Sequence, residues 1–168
     1  MNDQEFKARV FPLKDKLFRF AGRILDQRED AEDVTQDILI RLWKRKDELD
    51  EYDNIEAFAM TSVKNLCMDK LKHQQMKNKK LRSMKEEIAQ ETTDYGLELK
   101  ETNSIVQAIL GQLPMQQKMV MHLRDIEGYS TDEITEIMNL NAVAVRTNLS
   151  RARKKVREKM LKIMNYGI

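Results

Sequence analysis

The chain has 168 residues, of which 41% are hydrophobic, 35% charged and 6% aromatic, and its formal net charge is +2. This length accommodates one domain or two small ones, and a charged, aromatic-poor composition favours helices with solvated faces. Five glycines and two prolines are too few for the turns of an all-β fold, and no apolar run approaches the roughly 20 residues that span a bilayer. The single cysteine, Cys67, excludes an internal disulfide and fits a reducing compartment. Met1-Asn2-Asp3-Gln4-Glu5 lacks the basic start and apolar run of a secretory signal. A cytoplasmic protein without membrane insertion is expected.

The first helical stripe is Phe6, Val10, Leu13, Leu17, Ala21 and Ile24, with Pro12 marking a start or kink. A second stripe, Ala31, Val34, Ile38 and Leu42, follows Asp30; its outer face carries Asp33, Gln36, Asp37, Arg41 and Lys44. Residues 50–54 read as a loop. A third helix is expected from about residue 56 to 80, with Phe58, Val63, Leu66 and Leu71 among its apolar positions. Residues 83–103 are polar, acidic and weakly periodic, and read as a flexible linker, with a packed helix as the alternative.

Beyond the linker, Ile105, Val106, Ile109 and Leu110 predict a helix that ends at Gly111. Pro114 is suited to open the next one, which Val120, Leu123 and Arg124 continue and Gly128 ends. Ser130-Thr131-Asp132-Glu133 predicts a capping box in which Glu133 reaches back to the Ser130 N–H. Ile134, Ile137 and Met138 supply that helix with an inner face, Asn139 suits a left-handed turn, Leu140 plugs it, and Asn141 caps a final helix.

In the final helix Val145, Leu149, Ala152 and Val156 form the buried stripe, and Val143, Thr147, Ser150, Arg151 and Lys154 lie opposite, flanked by Arg146 and Arg157. Short polar residues near the helix start and cations further along suit a helix-turn-helix reader, whose first turns meet base edges and whose later residues meet phosphates. The alternative is a charged surface helix of an ordinary bundle.

Charge is segregated along the chain. Residues 1–63 hold 11 Lys and Arg against 15 Asp and Glu, residues 64–82 hold seven against Asp69 alone, and residues 146–168 hold eight against Glu158 alone. Two separate basic segments imply two contacts with a polyanion.

These residues resemble a known family. Leu113-Pro114 to Gln117, the run Leu123 to Ser130, Glu133-Ile134, Val145-Arg146 and the run Leu149 to Lys154 resemble the promoter-reading C-terminal domain of bacterial sigma factors. The run Asp30 to Asp37 is similar to their polymerase-binding helix, and Phe58 with the run Asn65 to Lys72 to their start-proximal promoter helix. The short separation of the halves points to the extracytoplasmic-function class of the sigma-70 family. Departures are Thr135 for a usual Ala, Asn139 for Gly, Ala144 for Thr, Asn148 for a basic residue and Ser62 for an aliphatic one; those in the last helix leave the DNA sequence preference open.

The resemblance implies an all-α protein of two small helical domains, 1–82 and 104–168, joined by a flexible acidic linker, 83–103, that either threads polymerase channels or serves as a plain tether. It implies that Glu32, Asp33, Gln36 and Asp37 dock on the clamp helices of the β′ subunit of core RNA polymerase. Leu42 and Trp43 are either apolar anchors there or core. Phe58, Lys64, Asn65 and Lys72 would hold the −10 element as melted strand, Phe58 being equally suited to the core, and Lys70, Lys77, Lys79 and Lys80 would attract phosphates. Arg146, Thr147, Asn148, Ser150, Arg151, Arg153 and Lys154 would meet the −35 element. An anti-sigma factor is a candidate partner, since such inhibitors are common in this class; the eleven methionines are an adaptable surface for one or core filler.

Rival readings are a stand-alone helix-turn-helix regulator, which leaves the run Asp30 to Asp37 without a role, a polymerase-binding adaptor that reads no promoter, and an enzyme. Against the last, His73, His122 and Cys67 lack metal-ligand spacing and no Gly-rich phosphate loop occurs. No cofactor, metal or catalytic residue is expected.

Overall fold

The computed structural model describes residues 1–84 and 102–166. Every regular element among them is helical. The N-terminal half comprises α1 (Asp3–Arg9), a 3-10 turn Phe11–Leu13, α2 (Lys14–Ile24), α3 (Arg28–Lys44), a 3-10 segment Lys46–Glu51 and α4 (Ile55–Met84). The C-terminal half comprises α5 (Thr102–Gly111), α6 (Met115–Met121), a π-helical turn His122–Ile126, α7 (Thr131–Met138) and α8 (Ala142–Tyr166). Of the expected linker, residues 83, 84, 102 and 103 are helical and the remainder lies outside the described residues.

The N-terminal half starts on a capping box that the sequence reading did not single out. The Glu5 N–H donates to Asn2 Oδ1 at 2.8 Å and the Asn2 N–H donates to Glu5 Oε2 at 3.0 Å. Pro12 sits in the 3-10 turn that bends the chain into α2. The predicted stripes face inward: Val10, Leu17, Phe20 and Ala21 are fully buried against Ala31, Val34, Ile38 and Leu42 of α3 and Ala59, Met60, Val63 and Cys67 of α4. Asn54 caps α4 by accepting from the Ala57 N–H at 3.0 Å. Asp30 ties α3 to α4, pairing with Lys70 at 3.3 Å and accepting from Gln74 Nε2 at 3.0 Å.

In the C-terminal half Pro114 directly precedes α6, and the helix continues into the π turn, where the Glu127 N–H bonds the His122 carbonyl five residues back. Gly128 ends it at φ 78°. Ser130 caps α7 by accepting from the Glu133 N–H at 3.1 Å. The predicted return bond takes another form: Glu133 Oε1 accepts from the Ser130 hydroxyl, at 3.1 Å, instead of from the Ser130 N–H. Asn139 takes the left-handed conformation, φ 52° and ψ 47°, and Asn141 Oδ1 caps α8 through the Ala144 N–H at 2.8 Å. Val145 and Ala152 of α8 are buried, with Leu149 and Val156 partly so.

The two halves do not stand apart. A single connected cluster of buried side chains runs from Phe6 to Val145, and α2 packs on α6 while α4 packs on α7. Polar groups line this seam. Arg19 grips Glu127 with two hydrogen bonds of 2.8 and 2.9 Å; Arg23 donates to His122 Nδ1 at 3.2 Å and to Gln107 at 2.7 Å. Phe20 stacks on the His122 ring with centroids 5.6 Å apart, and the Tyr129 hydroxyl donates to Glu56 at 2.6 Å.

Acceptance at Nδ1 places the proton of neutral His122 on Nε2, which lies 3.3 Å from Glu127. Burial, reinforced by Arg23 and opposed by Glu127, pushes the His122 pKa down to about 4. The unfolded chain takes up this proton near pH 6.5 and the folded chain only near pH 4. Stability is therefore complete above pH 6.5 and is lost as the pH falls through that window. His122 is expected to cost about 2 kcal/mol of stability between pH 7 and pH 5, and His122→Gln to flatten that slope, as read by denaturant unfolding at the two pH values. At the α7–α8 turn, Asn139→Gly should leave stability unchanged or raise it, whereas Asn139→Val should cost roughly 1–2 kcal/mol; thermal unfolding of the two variants distinguishes them.

Candidate nucleic-acid and polymerase interfaces

The first surface is the outer face of α3. Glu32, Asp33 and Gln36 are exposed and Asp37 half-buried, and positions 32, 33, 36 and 37 share one helical stripe because the buried residues Ala31, Val34, Ile38 and Leu42 occupy the other. Glu32 accepts from Arg28 at 3.1 Å and Asp37 binds Arg41 at 3.0–3.1 Å, both i,i+4 pairs. Leu42 is core, as one of the two expectations held. Trp43 is not: it is 48% exposed beside Ile40 at 53%, and the two line an apolar groove with Phe6, Phe11 and Leu39. The acidic stripe thus borders an apolar one, a combination that suits a basic partner helix with apolar anchors.

The second surface is a cleft of about 250 Å³ between the end of α3 and the middle of α4. Ile38, Leu42, Phe58 and Leu66 supply apolar walls, and Arg41, Arg45, Ser62, Asn65 and Asp69 supply polar groups. Phe58 packs on the core, stacks on Tyr52 at 4.1 Å between ring centroids and lines the cleft with the same ring. Asn65 is exposed, and Lys72 lies two turns further along the same stripe of α4. Lys64 lies beside that stripe and outside the cleft lining; its partial burial lowers the ammonium pKa. The cleft brings Phe58 and Asn65 together and leaves Lys64 and Lys72 around it.

Three contributors to this cleft were not among the expected residues. Arg41 and Arg45 sit one turn apart at the end of α3, and the signal was present as a basic pair at i,i+4 closing an acidic helix. Arg45 also pairs with Glu48 at 2.7 Å. Ser62 turns its hydroxyl back to the Phe58 carbonyl at 2.8 Å, which leaves a small side chain in the cleft wall where an aliphatic one would fill space.

The third surface is the outer face of α8. Val143, Arg146, Ser150, Arg151 and Lys154 are exposed and Thr147 half-buried. This pattern follows from Val145 and Ala152 anchoring the opposite face against α6 and α7. Two expected residues are engaged within the module. Arg153 forms a two-pronged pair with Asp125 at 2.5 and 3.0 Å, and Asn148 donates to the Ala144 carbonyl at 2.8 Å and to Gln116 at 3.2 Å. They brace α8 against the preceding helices, while Arg146, Thr147, Ser150, Arg151 and Lys154 point away from the module.

Comparison with known proteins accords with this layout. Residues 12–76 match the family model for sigma-70 region 2, and residues 104–156 the model for sigma-70, region 4. The chain is 26% identical to the ECF RNA polymerase sigma factor SigW of Bacillus subtilis, covering 94% of this chain and 90% of that protein. It is likewise 26% identical to an RNA polymerase sigma-E factor of Streptomyces avermitilis, covering 93% and 85%. Its fold is similar to that of RpoE from Bartonella quintana, solved in complex with the anti-sigma factor NepR, with a TM-score of 0.76 and 22% identity over 94% of this chain and 97% of that one. It is also similar to CnrH, solved with the cytosolic domain of CnrY, with a TM-score of 0.66 and 23% identity over 95% and 89%. With both helical modules matched in order along nearly the whole chain, the protein belongs to the extracytoplasmic-function class of the sigma-70 family, the sigma factors that bind core RNA polymerase and direct promoter-specific transcription initiation.

Proposed function

We propose that residues 1–82 form the module that docks on polymerase and holds the −10 element, and residues 104–168 the module that reads the −35 element. The observation that carries this assignment is the separation of exposed charge by element. The acids stand on α3, where a basic clamp helix of the β′ subunit would dock, and the cations stand along α4 and α8, where phosphates would lie. Glu32, Asp33, Gln36 and Asp37 orient the polymerase contact. Phe58 and Asn65, with Arg41 and Arg45 beside them, receive a base taken from the stack: an aromatic wall and an amide offset the unstacking cost of a few kcal/mol. Lys64 and Lys72 attract the strand backbone.

In α8, Thr147, Ser150 and Arg151 face base edges in the major groove, and Arg146 and Lys154 contact phosphates. Arg153 and Asn148 act by holding the helix in position. The protein works by binding and positioning, without catalysis of its own, and in the cytoplasm where polymerase resides; no helix among the described residues is long and apolar enough to cross a membrane. The anti-sigma complexes of RpoE and CnrH support an anti-sigma factor as a partner of this chain also.

Charge reversal of the exposed acidic stripe, Asp33→Lys with Gln36→Lys, should weaken capture of core polymerase roughly tenfold, ~1.4 kcal/mol, with stability within about 0.5 kcal/mol of the parent. Unchanged capture would move the polymerase contact elsewhere. In holoenzyme, Lys154→Ala should reduce the salt slope of promoter binding by about one, and Arg151→Ala should relax sequence preference at a cost of about 1–3 kcal/mol. Promoter-dependent transcription that survives both changes intact removes the outer face of α8 from the DNA contact.

A further inference from the structure

The first turn of α8 has no role in the assignment above. Its side chains are Ala142, Val143, Ala144 and Val145. Val145 is buried and anchors the helix, the two alanines are half-buried, and Val143 is 65% exposed. Folding gives no reason for a valine there. Val143 belongs to neither apolar cluster of the described residues, and a β-branched side chain is a poorer helix former than alanine. A single exposed valine is ordinary on an arbitrary surface. This one heads the stripe that continues through Thr147, Ser150 and Lys154, with Arg146 and Arg151 on its flanks.

We infer that Val143 is a specificity-determining residue of the promoter contact: it packs on the C5 methyl group of a thymine in the −35 element. This inference rests on the assignment of the α8 face to that element made above, and names a base that the face selects. The N-terminal residues of a recognition helix are those that meet base edges. Base pairs present donors and acceptors in the major groove, and one apolar group, the thymine methyl. The first turn of α8 carries no side chain able to donate or accept a hydrogen bond. Its neighbours do not supply one. Asp125 holds the Arg153 guanidinium by two hydrogen bonds, and the Asn148 amide is turned back to the Ala144 carbonyl and Gln116. The Ala144 N–H is taken by the Asn141 cap. The polar readers Thr147, Ser150 and Arg151 begin one turn further along. At the head of the helix, apolar contact is therefore the means of discrimination that remains.

Size and chemistry fit this contact. Alanines on both sides of Val143 let the helix backbone come close to the groove floor, and the two γ-methyl groups extend from it. Contact withdraws apolar surface of both the valine and the thymine from water. A cytosine at the same place offers no methyl group, and a purine offers hydrogen-bonding atoms that the valine leaves unsatisfied. The contact discriminates between bases and adds no attraction to phosphates, which is the part given to Arg146 and Lys154.

The test uses holoenzyme assembled from core polymerase and the full chain. Binding selects sequences from a duplex promoter library randomised over the −35 element. Each thymine of the enriched element, on either strand, is then replaced singly by deoxyuracil, which loses the methyl group and keeps every hydrogen-bonding atom. The expected result is one position at which the replacement weakens binding about fourfold, the contribution of one methyl group withdrawn from water. Val143→Ser, at an exposed position, should unfold at the parent's temperature, bind the thymine and deoxyuracil promoters equally, and lose the thymine from its own selected sequence. Lys154→Ala should weaken binding to both promoters alike and keep their ratio. No deoxyuracil penalty at any position overturns the contact, and so does a penalty that Val143→Ser retains, which would arise from the stiffness of the duplex instead. Arg151→Ala separates this result from the assignment beneath it. A selected sequence relaxed by Arg151→Ala, with the deoxyuracil penalty unmoved by Val143→Ser, removes the thymine contact and leaves the α8 assignment standing. A selected sequence that neither variant alters overturns both.

Discussion

Arg19 and Arg23 project from one face of α2 onto the π turn that follows α6 and its immediate successor Glu127, and the packing of the two halves on one another depends on that meeting. The π turn at His122–Ile126 brings His122 under Phe20 and aims Glu127 at Arg19. Burial alone would raise the Glu127 pKa; the two Arg19 hydrogen bonds hold it below the usual carboxylate range. Burial, then the hydrogen bond to Glu56, pushes the Tyr129 hydroxyl well above its usual pKa. The groups are charged or neutral according to their partners across the seam, so each module completes the electrostatics of the other. A buried carboxylate separated from its guanidinium costs more than the pair contributes, which makes the seam selective for one register more than strong.

The same constraint arranges the surfaces. Docking through α2, α6 and α7 occupies one side of the N-terminal module and leaves the outer face of α3 open. It sets the acidic start of α7 against the aromatic side of α4. The outer face of α8 remains turned to solvent because Arg153–Asp125 and Asn148–Gln116 fasten the helix to its own module.

Much of this was legible before any coordinates. Helical stripes ending at Ile24 and Leu42, the caps at Ser130 and Asn141, the left-handed Asn139 and the break at Gly128 follow from periodicity of 3.6 and from residues with narrow backbone preferences. The acidic face of α3 and the basic faces of α4 and α8 follow from the same periodicity, since a residue opposite a buried stripe must be exposed. The cleft at Phe58 was only half legible. Its aromatic and its amide lie on one helix, but Arg41 and Arg45 arrive from another, and one helix's pattern does not report what a neighbour brings to it.

The sequence by itself determined the helices, their inward faces, the segregation of charge and, through its motifs, the family. These are local properties, set by side chains a few positions apart and by caps that act on the nearest turn. Only the tertiary structure decided that Trp43 stands outside while Leu42 is core, that Arg153 and Asn148 brace α8, and that the modules share one core across the Arg19–Glu127 and Glu56–Tyr129 contacts. Those partners are separated by 108 and 73 residues. Nothing in the periodicity of one segment encodes a pairing at that range; it arises only when two folded faces of complementary shape and charge meet.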